Sequence, residues 1–119
     1  MLGHNFGLFQ NRRKFKMLLK KFDKILSPDG VIIAETSNPY KTKNNIHTSY
    51  HAWNFKRGRM GGQLRLRLRY KKLISRWFDY LFVSQKELHN LLNGTEWKIQ
   101  RIFNSRGSSY IAVLDKSMK

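Results

Sequence analysis

Residues 25–35 read Ile25-Leu26-Ser27-Pro28-Asp29-Gly30-Val31-Ile32-Ile33-Ala34-Glu35. The apolar end of a helical pattern, a Ser-Pro-Asp-Gly turn and a β-branched apolar run follow one another without a spacer. Pro28 and Gly30 stop the helix and turn the chain. The run Val31 to Glu35 is short, apolar and bounded by turn residues, which reads as a buried strand of the parallel type. A helix, a tight turn and such a strand make half of a βαβ unit.

Upstream of this stretch, Phe15, Leu18, Leu19, Phe22, Ile25 and Leu26 recur at three- and four-residue steps. That spacing predicts a helix over Asn11 to Leu26 with one apolar face. Asn11 suits its N-cap, and Arg12, Arg13, Lys16, Lys20 and Lys24 fall largely off the stripe. Met1 to Gly3 is an apolar stub placed to be the strand before that helix, which makes the connection right-handed.

Downstream, Ser37 to Gly62 is polar and irregular and is expected to be a long loop, partly packed by Tyr40, Tyr50, Trp53 and Phe55. From Gln63 to Tyr70 the chain alternates, with Leu64, Leu66, Leu68 and Tyr70 on one side and Arg65, Arg67 and Arg69 on the other. Period two predicts a half-exposed strand. Trp77 to Val83 is its expected partner across a turn at Lys71 to Arg76, with Tyr70, Trp77 and Phe78 forming the hairpin core. Ser84-Gln85-Lys86-Glu87 has the form of a capping box. Leu88, Leu91 and Leu92 give the next helix its buried face, and Gly94 suits its C′ position. Trp97 to Phe103 and Ser109 to Asp115 read as strands joined by Asn104 to Gly107. The chain is expected to form one domain over 1–119, with an insertion over 37–83.

The chain has 119 residues, no cysteine and a formal net charge of +17. Disulfides and thiolate metal sites are therefore excluded. The charge attracts polyanions without reading sequence. Arg65, Arg67 and Arg69, with Arg57 and Arg59, fit either a phosphate cradle or a solvated face that discourages edge pairing. A small basic nucleic-acid-binding protein is thus the alternative function. The apolar start lacks a basic n-region, and no run has the length of a membrane span. A cytoplasmic protein without a membrane partner is expected.

The order of elements resembles the second half of the class I S-adenosylmethionine-dependent methyltransferases, a Rossmann-like family. Residues 25–35 are similar to the family's helix end, glycine turn and fifth strand. Val83 to Phe103 is similar to its last helix and sixth strand, and Ser108 to Lys116 to its seventh. Arg57 to Leu81 resembles an insertion carried by one subgroup. The resemblance implies an α/β fold: a partial methyltransferase sheet with equivalents of strands four to seven, a C-terminal antiparallel hairpin and an inserted β-hairpin. The family's glycine-rich loop after strand one, and its acidic residue after strand two, have no counterpart here. Gly58, Gly61 and Gly62 do not stand between a strand and a helix.

The resemblance also implies a site. In open α/β sheets ligands lie at the carboxyl ends of strands. Gly3-His4-Asn5-Phe6-Gly7 follows the stub, where the family's loop lies beside the transferred methyl group. Gly3, His4 and Phe6 are expected at the cofactor, and His4, Asn5 and Glu35 at the reacting groups. Glu35 would hold a substrate amine or hydroxyl; pairing with an arginine is the other reading. Tyr50, His51, Asn54, Arg57 and Arg59 are expected to contact substrate. His47 and His51 stand one helical turn apart without a third ligand at motif spacing, so no metal is expected. S-adenosylmethionine is the cofactor of the complete fold. A sheet opened at the stub needs a partner, either an N-terminal methyltransferase half or a second copy of this chain.

Overall fold

The computed structural model describes residues 1–41 and 45–116. A single 3₁₀ turn, Asn5–Phe9, leads into helix α1, Arg12–Ile25. Asn11 caps α1 as expected, its Oδ1 accepting from the Lys14 amide at 2.9 Å. The other end is closed from a distance. Lys116 Nζ donates to the carbonyls of Asp23 and Leu26, each at 3.1 Å, and lies 2.9 Å from the Asp23 carboxylate. A cation on the last carbonyls suits the negative end of the helix dipole.

The Ser-Pro-Asp-Gly turn closes through Gly30 N on Ser27 O and Ser27 Oγ on Asp29. That serine hydrogen bond, with a backbone one, holds the exposed Asp29 carboxyl below its ordinary pKa. Strand β1 follows at Val31–Ser37. It pairs antiparallel with the last strand, Ser109–Lys116, here β7. On its other side Met1 N donates to Ile33 O, and Glu35 N to Met1 O. Those two bonds set Met1 beside β1 in parallel, but residues 2–4 form a turn and not the rest of the expected strand.

Helix α3, Gln85–Leu92, begins in the expected capping box and buries Leu88, Leu91 and Leu92. Gly94 has φ 80°, the left-handed geometry that ends the helix. Strand β6, Trp97–Asn104, pairs antiparallel with β7, giving the order β1-β7-β6. The last strand of the chain is thus inserted between two earlier ones.

Ile32, Ala34, Ala112 and Leu114 point from the sheet into a core shared with Phe15, Leu19, Leu88 and Leu91. Phe6 and Phe9 complete it, Phe9 meeting Phe15 edge-on at a centroid distance of 4.7 Å. Strand β1 departs from expectation here. It is buried on alternate residues, and Val31 and Ile33 are exposed. Both helices cover one face of the sheet, and among the described residues little lies over the other.

The insertion differs more. Residues expected in a loop contain helix α2, Asn45–Lys56. The expected strand over Gln63 to Tyr70 is broken. Strand β2, Gln63–Leu66, pairs with β5, Phe78–Leu81; Arg69–Tyr70 (β3) pairs with Leu73–Ile74 (β4) at the tip. Leu66, Leu68, Tyr70 and Trp77 are exposed, so the expected hairpin core does not form. No second layer among the described residues meets the leucine side of the hairpin. Among the described residues, no helix is long and apolar enough to cross a membrane.

Candidate functional site

The carboxyl end of β1 opens into a cavity of about 630 Å³. The insertion supplies its opposite wall. His4 after the stub, Ser37 at the end of β1, Asn38 just beyond it, and Ser108 from the β6–β7 turn line one side; Tyr50 and His51 of α2, Leu64 of β2, and Tyr80 and Phe82 line the other.

His4 is held from several directions. Its backbone has φ 64°, a left-handed conformation uncommon for a residue with a Cβ. Glu35 stabilises that turn: its Oε1 accepts from the amides of Gly3 at 2.7 Å and His4 at 3.2 Å. The Tyr80 hydroxyl donates to the His4 carbonyl. The imidazole Nε2 lies 2.8 Å from Ser37 Oγ and 3.2 Å from Ser109 Oγ, and the two hydroxyls are 3.2 Å from each other. The ring thus sits where the carboxyl end of β1 meets the start of β7. Gly7 permits this packing, because a Cβ there would come within 2.0 Å of the Tyr80 ring.

The opposite wall is built on Asn54 and Tyr40. Asn54 is fully buried and donates to the carbonyls of Gly61 and Gln63 at 3.0 and 3.1 Å. It ties the end of α2 to β2. Tyr40 donates to Glu87 Oε2 at 2.7 Å and meets His51 edge-on. Burial and the Glu87 hydrogen bond push the Tyr40 phenol above its ordinary pKa. His51 moves the other way: burial, then repulsion from His47, lowers its pKa, while Glu87 opposes.

Of the residues expected at the site, His4, Tyr50 and His51 line the cavity. The others have different surroundings. Phe6 is fully buried among Phe9 and Phe15, so it packs the core instead of facing a ligand. Asn5 is exposed and outside the cavity wall. Gly3 and Glu35 bond to each other, and among the described residues Glu35 makes no arginine pair. Arg57 bonds Asn54 and lies 3.4 Å over the Trp53 ring. Arg59 pairs with Asp79 at 3.0 Å. Among the described residues, no group of three or more His, Asp or Glu converges as a metal site. Sequence reasoning missed Tyr80, Phe82, Leu64, Ser108 and Ser109. Tyr80 and Phe82, two apart in a strand-like run, carried a usable signal; Ser108, in a turn, and Ser109, at the start of β7, carried none.

No family model matches this sequence, and no curated protein matches it. Among solved structures, it is similar to a SAM-dependent methyltransferase from Bacteroides fragilis, crystallised in complex with S-adenosyl-L-homocysteine. The TM-score is 0.78 at 21% identity, over 99% of this chain and 46% of that one. The chain has a partial methyltransferase fold and spans about half the length of this structural neighbour.

Proposed function

We propose that this chain is the acceptor-side half of an S-adenosylmethionine-dependent methyltransferase. Its cavity receives the methyl acceptor, and a polypeptide carrying the glycine-rich loop holds the donor. The observation that carries this reading is the cavity at the strand ends, with His4 fixed in its wall by Ser37, Ser109, Glu35 and Tyr80. The fold of the neighbour and the ligand in that neighbour's crystal support it.

The chain's own residues do not fit S-adenosylmethionine by themselves. Gly61 and Gly62 are pressed against Tyr40 and the Phe82 carbonyl, where a Cβ would approach within 2.6 and 2.1 Å, so they form no cradle for a ligand. The Glu35 carboxylate is occupied by two backbone amides of its own chain. What the chain supplies is orientation. Tyr50, Phe82 and Leu64 give the acceptor an apolar wall, and His4 presents a nitrogen capable of holding a proton in a fixed place. Positioning of this kind supplies much of the rate in a group transfer.

Calorimetric titration tests the division of labour. The chain alone is expected to bind S-adenosylmethionine with a dissociation constant of roughly 1 mM or weaker, about −4 kcal/mol. Micromolar binding would overturn the reading. Combined with a chain bearing the glycine-rich half, it is expected to support transfer of an isotopically labelled methyl group. A combined protein that binds the donor yet transfers nothing also counts against it.

A further inference from the structure

The hairpin from Leu66 to Trp77 has no role in the cavity, and its composition is unusual for a solvent-exposed element. Leu68 is 68% exposed, Leu73 72%, Ile74 52% and Trp77 52%, with Tyr70 and Leu66 also in solvent. Exposed apolar side chains are ordinary when single; six within one hairpin tip, with Leu73 beside Tyr70 on one face and Ile74 beside Arg69 on the other, mark a contact surface. Between them stand Arg65, Arg67, Arg69, Lys71, Lys72 and Arg76, all exposed. No Asp or Glu occurs in the sequence between Glu35 and Asp79. The Arg67 guanidinium lies 4.6 Å from the centre of the Trp77 ring, and Lys71 Nζ lies 5.4 Å from that of Tyr70.

We propose that this hairpin docks the protein onto an anionic lipid surface. Charge complementarity and the kind of apolar residue decide the occupant together. Basic side chains are drawn to acidic headgroups, and Trp and Tyr favour the headgroup level. Leu68, Leu73 and Ile74 at the tip are aliphatic. An acyl layer takes up such side chains, whereas a nucleic acid rewards rings that stack on bases. A chain without a spanning helix still lies on a membrane when apolar and basic groups act together. The hairpin grows out of β2, whose Leu64 lines the cavity, so docking brings the cavity wall toward the lipid.

The test is co-sedimentation of the full chain with vesicles of phosphatidylcholine alone, and of phosphatidylcholine with roughly one-quarter phosphatidylglycerol. Binding to the anionic vesicles is expected, at least about tenfold tighter than to the neutral ones. The double variant Leu73→Ser/Ile74→Ser keeps every charge and is expected to lose about tenfold in affinity. Lys20→Gln/Lys24→Gln, which removes charge on α1, is expected to leave most of the binding in place. The proposal fails if the serine variant binds like the parent, because net charge alone then explains the attachment. It also fails if the parent ignores anionic vesicles, whether it instead binds a single-stranded oligonucleotide or self-associates through the hairpin.

Discussion

His51 shows how a single side chain couples the site to pH. It is buried on the inner side of α2 against the Tyr40 ring, and that burial lowers its pKa. An unfolded chain takes up a proton at this residue near pH 6.5; the folded chain does so only at lower pH. The unfolded state therefore binds more protons between those values. The stability tied to neutral His51 is fully present above about pH 6.5 and is lost as pH falls below it. Thermal melts from about pH 7.5 to about pH 5 are expected to show a falling midpoint, and His51→Gln is expected to flatten the slope. An unchanged slope in the variant would assign the effect to other groups. The sequence named His51 as a site residue but not its burial, because nothing local places Tyr40 over it. Asn54 is the same kind of case: a substrate contact on paper, and in the fold the pin that joins α2 to β2.

Among the elements, α3 was the most legible. Ser84 Oγ accepts from Glu87 N at 3.1 Å, and Glu87 Oε1 from Ser84 N at 3.0 Å. The same carboxylate receives Tyr40, so the cap also tethers the chain after β1. Ser84→Ala is expected to cost about 1 kcal/mol and to lower the melting midpoint by roughly 4–8 °C; a scanning calorimeter measures it. Helix α2 was illegible for a physical reason. Its buried residues include His51 and Asn54, while Ile46, Trp53 and Phe55 face solvent. A reading based on apolar periodicity finds no stripe there. The hairpin misled in the opposite direction. Alternation correctly grouped its leucines and arginines, but period two cannot say whether another layer lies over either group. Elements whose apolar residues face the core, α1, α3 and β7, were read nearly to the residue.

The whole molecule has one face of its sheet finished and one unfinished. Ile33 lies beside Val113, and Ile111 beside Phe103, on the side away from α1 and α3. Val31, Ile33 and Phe103 remain exposed, and the stub is bonded to β1 on only one side. Such a surface is costly to leave in water. The isolated chain is expected to self-associate at concentrations on the order of tens of micromolar. Ile33→Lys is expected to reduce that association with the helical circular dichroism unchanged. Sedimentation equilibrium measures the first quantity, and a monomer unaffected by the variant would show that the face needs no cover. The resemblance read from the sequence anticipated the order of the strands. It did not anticipate the bare face, which depends on which side both helices choose.

The place of β7 has a consequence for how the chain is made. Ser37 pairs with Ser109, and Val31 with Asp115, so the central ladder joins residues 72 to 84 positions apart in the sequence. While a ribosome is still adding Ser109 to Lys116, β1 and β6 have no strand between them. Through the synthesis of the residues between β1 and β7, the edge of β1 that faces β7 has no partner strand. Closure waits for β7, as in topologies dominated by distant pairings. Until then its vulnerability to proteases and to clumping is set by translation speed as much as by the finished fold.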